Sequence, residues 1–158
     1  MFFGKIAFKY NRLDLGLSAS LLTYNKILTQ QYTLQAGISL PGSLGIQLKS
    51  KVDVLFDNAA RRLIFTQTAG LIPLKNVWIE GNVTLGNLNN YADYNGLYIL
   101  NSKDPTTFKT GVSIFWQALN RISIFANYGY DIKQLKGINN TFINYNQQSF
   151  SGGIIWKI

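Results

Sequence analysis

The sequence predicts an all-β fold, an antiparallel up-and-down transmembrane β-barrel with about 9 to 10 strands in this chain. Three observations predict it. Apolar and polar residues alternate with period two in successive blocks of about ten residues, as in strands with each face in a different environment. The apolar phase of those blocks carries no Asp, Glu, Lys or Arg. Mean hydropathy is only +0.04 although charged residues make up just 14% of the chain and aromatics another 14%. Soluble domains carry roughly 25% charge, and two alternating faces cancel in any window average. No apolar run reaches the about 18 residues of a membrane helix, which excludes helical spans. The 158 residues form a single domain, 1–158.

The blocks follow in order along the chain. Ile6, Phe8 and Tyr10 oppose Lys5, Ala7 and Lys9; after the Asn11-Arg12 turn, Leu13, Leu15, Leu17, Ala19 and Leu21 oppose Asp14, Gly16, Ser18 and Ser20. Tyr32, Leu34, Ala36, Ile38 and Leu40 oppose Thr33, Gln35, Gly37 and Ser39, and Pro41-Gly42-Ser43 turns the chain. The fourth block sets Leu44, Ile46, Leu48, Ser50, Val52, Val54 and Phe56 against Gly45, Gln47, Lys49, Lys51 and Asp53. The fifth sets Leu63, Phe65, Gln67, Ala69 and Leu71 against Arg62, Ile64, Thr66, Thr68 and Gly70. Past a turn at Pro73 to Asn76, Val77, Ile79, Gly81, Val83 and Leu85 face away from Trp78, Glu80, Asn82 and Thr84. Gly86 to Thr107 is rich in turn residues, with Gly96 to Leu100 able to extend as a short strand. Alternation resumes with Phe108, Val112, Ile114 and Trp116 against Lys109, Gly111, Ser113 and Gln117. Beyond the Asn120-Arg121 turn, Ile122, Ile124, Ala126, Tyr128 and Tyr130 oppose Ser123, Asn127 and Asp131. A polar segment, Lys133 to Gln148, reads as a loop, and the last block sets Phe150, Gly152, Ile154, Trp156 and Ile158 against Ser149, Ser151, Gly153 and Lys157.

A charge at mid-bilayer on the outer face of a barrel costs about 2 to 4 kcal/mol, so lipid contact requires a charge-free phase. A soluble barrel or calyx binding a small apolar ligand gives the same alternation and stands as the alternative. Against it count the block lengths, which suit a tilted membrane strand of about 9 to 11 residues. Aromatics also gather near strand ends, at Tyr10, Tyr32, Phe56, Tyr128, Tyr130 and Trp156.

The C-terminal stretch Phe150 to Ile158, with Phe150, Ile154, Trp156 and Ile158 in one phase, resembles the terminal strand of bacterial outer-membrane β-barrels. This chain ends in Ile where that family most often ends in Phe. The resemblance implies localisation in the bacterial outer membrane, contact with its lipid, and reading of the last strand by the barrel-assembly machinery as an insertion signal. It also implies short periplasmic turns and longer external loops. Counting back from the end, Lys133–Gln148, Gly86–Thr107, Asp57–Arg61 and Asn25–Gln30 are external, and Asn120-Arg121, Pro73–Asn76, Pro41–Ser43 and Asn11-Arg12 periplasmic. The count is about nine spanning strands where single-chain bacterial barrels have an even number. No signal peptide is visible at the start. The expectation is a C-terminal portion of a larger barrel, with Gly96–Leu100 as a tenth strand the rival count.

With no histidine and no cysteine in the chain, Ser-His hydrolysis, His-ligated metal sites and thiol chemistry lose their central groups. The remaining acid–base candidates, Asp14, Asp53, Glu80 and Asp131, lie on different strands among Lys and Arg, so ion pairing explains them better than catalysis. A non-catalytic pore, transport-related or structural component is expected, without cofactor or metal; a surface adhesin or assembly partner acting through the external loops is the further alternative. Candidate lumen-lining residues are Lys49, Lys51, Asp53, Arg62, Trp78, Glu80, Lys109 and Asp131. Cations in this phase outnumber carboxylates, which would favour anions. Trp78 and Phe125, on the polar face, fill space or stack on a sugar. The net charge of +8 is scattered without a basic helix, which argues against nucleic acid.

Overall fold

The computed structural model describes residues 2–24, 27–57, 60–93, 98–100, 104–136 and 141–156. Eleven strands are found: β1 (Phe2–Tyr10), β2 (Leu13–Tyr24), β3 (Ile27–Ser39), β4 (Gln47–Phe56), β5 (Arg61–Leu74), β6 (Val77–Leu85), β7 (Tyr91–Asp93), β8 (Tyr98–Leu100), β9 (Thr106–Leu119), β10 (Ile122–Lys136) and β11 (Phe142–Trp156). Nine of them make one antiparallel sheet in the order β1-β2-β3-β4-β5-β6-β9-β10-β11. Each strand pairs with its chain neighbour, except that β6 passes to β9 over the β7–β8 hairpin. That hairpin is a separate two-stranded sheet, so the count of ten that placed Gly96–Leu100 in the main sheet is corrected. β8 spans three described residues, against nine or more in every strand of the main sheet, and Gly96 and Leu97 lie outside the described residues.

Turn chemistry explains how the meander is stitched. Asn11 (φ 52°) and Asn76 (φ 67°) adopt the left-handed conformation in the tight β1–β2 and β5–β6 connections, and Asn tolerates that region better than most residues. Pro73 belongs to β5 rather than to the following turn: without an N–H to donate, it sits where the β5–β6 register shifts between Leu71 and Leu74. Leu44 and Ile46, expected in the fourth strand, precede β4 in a rim segment where Gly42 (φ 134°) and Gly45 (φ 53°) redirect the backbone.

Two expected loops are largely strand. The β10–β11 ladder continues to Lys136↔Phe142, so most of Lys133–Gln148 is a paired ribbon, and β2–β3 pairing reaches Tyr24↔Ile27. A strand whose two faces meet the same environment has no need to alternate, and mixed polar and apolar pairs serve the ladder equally well.

Burial is inverted relative to a water-soluble sheet. Along β3, Thr29, Gln31 and Gly37 are buried, while Tyr32, Leu34 and Ile38 are exposed. Along β5, Ile64 and Gly70 are buried and Leu63 is 64% exposed. The concave face is therefore mostly polar and the convex face apolar. The sheet curls around a cavity that touches both of its edges, through Phe3 and Lys5 of β1 and Ser149 and Ser151 of β11. Among the described residues those edges are not paired with each other. A small apolar core occupies one end of the concave side: Leu55, Ile64, Leu88 and Tyr91, with Leu100 against them.

Candidate functional site

The chain leaves β6 at Gly86, whose φ of +128° few other residues accept; a Cβ there would also lie 2.6 Å from the Leu63 carbonyl oxygen. From that point it folds onto the concave face instead of away from it. The amides of Gly86 and Leu88 donate to the carbonyls of Thr107 and Thr106, 3.1 and 2.8 Å, fastening the loop's base. Leu88 and Tyr91 then bury their side chains against Leu55 and Ile64.

Asp53, fully buried, holds this hairpin in place. Its Oδ1 accepts from Thr33 Oγ1 at 2.5 Å and from Gln31 Nε2 at 3.0 Å, and its Oδ2 accepts from Tyr91 Oη at 2.9 Å. Gln31 also grips the hairpin backbone: Nε2 donates to the Ala92 carbonyl and Oε1 accepts from the Ala92 amide, both 3.0 Å. Lys51 Nζ lies 3.7 Å from Asp53 Oδ2 and 5.1 Å from the Tyr91 ring centroid. A buried carboxylate needs such saturation of its lone pairs, because an unpaired one costs several kcal/mol.

Beneath the hairpin lies the cavity, about 470 Å³, with Ala92 in its wall. Of the residues picked out from the sequence, Lys49, Lys51, Glu80 and Lys109 line it. Asp53 stands behind the lining. Arg62 is directed to the hairpin, donating to the Asn89 carbonyl at 2.5 Å and pairing with Asp57. Asp131 lies opposite Lys109 in the β9–β10 register. Trp78 covers Gly70, where a Cβ would come within 2.2 Å of its ring, and Phe125 covers Gly153, at 2.8 Å. Both rings thus fill space over glycines of the neighbouring strand instead of presenting a stacking face to a ligand. Phe150, Ile154 and Trp156 are 70% exposed or more on β11, and Ile158 lies outside the described residues.

Lys5 also lines it, and the rest of the lining is mostly hydroxyl and amide, with Phe3, Tyr128 and glycines among them. Among the described residues, no group of three His, Cys, Asp or Glu side chains could hold a metal ion. The hairpin contacts of Gln31, Thr33 and Tyr91 join residues up to 61 positions apart, and no local pattern marks them. Leu55 and Ile64 did carry a signal: they are apolar residues in the polar phase, at neighbouring positions of paired strands.

Comparison with protein-family models, with curated proteins and with solved structures finds no match. Fold and site together define an all-β chain whose curled sheet is apolar outside and polar within.

Proposed function

We propose that this chain forms the wall of a transmembrane β-barrel of the bacterial outer membrane and acts, without catalysis, as a pore or transport-related component. The observation that carries the reading is the inverted burial: charge-free apolar residues on the convex face, such as Leu17, Leu34, Leu63 and Ile154, each more than half exposed, around a polar interior. In water that convex face would be an apolar patch far larger than a monomer tolerates; against hydrocarbon it is matched. Ser50 and Gln67, two polar residues of the apolar phase, support the same reading. They are register partners on β4 and β5, and the Ser50 hydroxyl donates to Gln67 Oε1 at 2.6 Å while Gln67 Nε2 donates to the Thr68 carbonyl at 3.3 Å, which lowers the cost of placing them in an apolar surrounding. An apolar-ligand calyx fits less well, because the cavity wall is polar.

Edge parity bears on closure. As first and last of nine alternating strands, β1 and β11 run parallel. Unpaired edges are not tolerated in hydrocarbon, so we propose that an odd number of further antiparallel strands completes the ring. Strands stand about 4.8 Å apart, so one intervening strand separates the edges by about 10 Å, beyond disulfide reach. In the cysteine-free chain, pairs of cysteines scanned along β1 and β11 are expected to stay reduced in the folded protein. Rapid crosslinking of an in-register series would show direct parallel closure instead.

The membrane reading is tested by folding into detergent or vesicles, with heat-modifiable gel migration as the expected result. A water-soluble monomer would overturn it. Planar bilayers should show discrete conductance steps with anion preference, and bilayers that stay sealed would refute the pore.

A further inference from the structure

One register row of the sheet concentrates cations on the cavity wall. Lys51 of β4 faces Thr66 of β5, Thr66 faces Thr84 of β6, and Thr84 faces Lys109 of β9. The two threonine hydroxyls are hydrogen-bonded to each other at 3.1 Å. On its other side Lys51 faces Gln35, and Gln35 faces Gly16. Gly16 has no side chain, and the stem of Lys5 lies across it: the Cε of Lys5 is 3.7 Å from where a Cβ would stand. Three strands thus bring Lys5, Lys51 and Lys109 onto a single belt. Lys49, two residues from Lys51 on the same face, adds a fourth ammonium to the lining, against Glu80 in the lining and Asp131 opposite Lys109 in the β9–β10 register. Asp53, which also accepts from Thr33, Gln31 and Tyr91, offsets part of this charge, its Oδ2 lying 3.7 Å from Lys51 Nζ.

We propose that this belt is a binding site for a small hydroxylated anion, a sugar-sized molecule bearing a phosphate or carboxylate group. The lysines supply the charge for the anionic group, and a wall of low dielectric around a lining in which ammoniums outnumber carboxylates focuses the field on the solute. The paired hydroxyls of Thr66 and Thr84, between the lysines, together with Gln35 and Asn82, supply donors and acceptors for hydroxyl groups. The volume of about 470 Å³ lies within the range of small-molecule sites, and hydroxyl, amide and ammonium groups outnumber the apolar side chains of its wall. The site requires only that the sheet keep its cavity; it does not require that the cavity conduct.

The test is a titration of the folded full chain in detergent micelles, by calorimetry or nuclear magnetic resonance, with glucose 6-phosphate, inorganic phosphate and glucose as probes. Saturable binding of glucose 6-phosphate is expected, stronger than that of either fragment. Removing one belt ammonium should weaken it about tenfold, the worth of one charge-assisted hydrogen bond. Lys109→Gln is the primary variant, since Lys51→Gln also disturbs the Asp53 contacts and could loosen the hairpin. Lys9→Gln removes the same charge from the polar phase of β1 at a position outside the cavity lining and should leave the titration unchanged. Absence of saturable binding by the wild-type chain overturns the proposal, and so does equal weakening by Lys9→Gln and Lys109→Gln, which would reduce the effect to net charge. Because binding is read in micelles, a chain that binds glucose 6-phosphate yet leaves bilayers sealed refutes the pore alone, and a conducting chain that binds nothing refutes the belt alone.

Discussion

Leu34→Arg is expected to abolish stable assembly in lipid while leaving the chain's behaviour in aqueous denaturant almost unchanged. Leu34 lies at the middle of β3, 56% exposed on the convex face, with Leu17 and Val52 beside it in register. In water an exposed leucine exchanged for arginine alters stability by no more than about 0.5 kcal/mol. At the midplane of a bilayer the same exchange costs about 2 to 4 kcal/mol, and the penalty falls to about 0 to 1 kcal/mol near the interfaces. Ile38→Arg, at the end of β3 and 43% exposed, is the depth control and should cost far less. The measurement is urea unfolding from phospholipid vesicles for both variants. Equal, small effects at Leu34 and Ile38 would mean that the convex face meets water, and the membrane reading would fall.

Position along β3 matters here because the strands were readable from the sequence where two environments imposed alternation, and not beyond it. Leu34, Tyr32 and Ile38 announce their face because Thr33, Gln35 and Gly37 answer it at every step. From Lys133 to Gln148 polar residues predominate in both phases and the few apolar ones, Leu135, Phe142 and Ile143 among them, fall in either, so period two vanishes from the sequence while β10 and β11 remain paired. The backbone ladder, which needs no particular side chain, holds the ribbon there. The cavity lysines were legible for the same reason as the strands, since a charge in a block with a charge-free face has only one side to occupy. The hairpin inside the sheet was not. Gly86 to Thr107 shows the turn residues of any exposed loop, and its inward course depends on Leu88 and Tyr91 meeting Leu55 and Ile64 across strands. Those two apolar residues in a polar phase were the trace that the hairpin left in the strand sequences. Gln31 left none, because one glutamine among many polar residues becomes special only when Ala92 arrives opposite it.

The second large effect is expected at Asp53. Asp53→Leu preserves approximate volume but strips acceptors from Thr33, Gln31 and Tyr91 and leaves Lys51 without the carboxylate 3.7 Å away. Each hydrogen bond to a charged group contributes about 1.5 to 3 kcal/mol, and a buried donor left unmet adds its own desolvation cost. Contributions from groups in one network do not add, so about 3 kcal/mol is the figure to expect for the hairpin as a unit. The nine-stranded ladder does not pass through Asp53's side chain, so the loss should appear as local opening and not as collapse of the sheet. Amide exchange at Ala92, whose N–H donates to Gln31, reads that opening directly. Exchange there should quicken roughly a hundredfold, the kinetic counterpart of about 3 kcal/mol, while amides in the β4–β5 ladder keep their protection. Tyr91→Phe removes one of the three hydrogen bonds and should give a smaller acceleration in the same place. If Ala92 exchanges as slowly in Asp53→Leu as in the parent chain, the hairpin is held by Leu88, Tyr91 and their apolar neighbours alone, and the buried carboxylate has no part in fastening it. If the β4–β5 amides lose protection together with Ala92, Asp53 supports the sheet as a whole and the hairpin does not open as an independent unit.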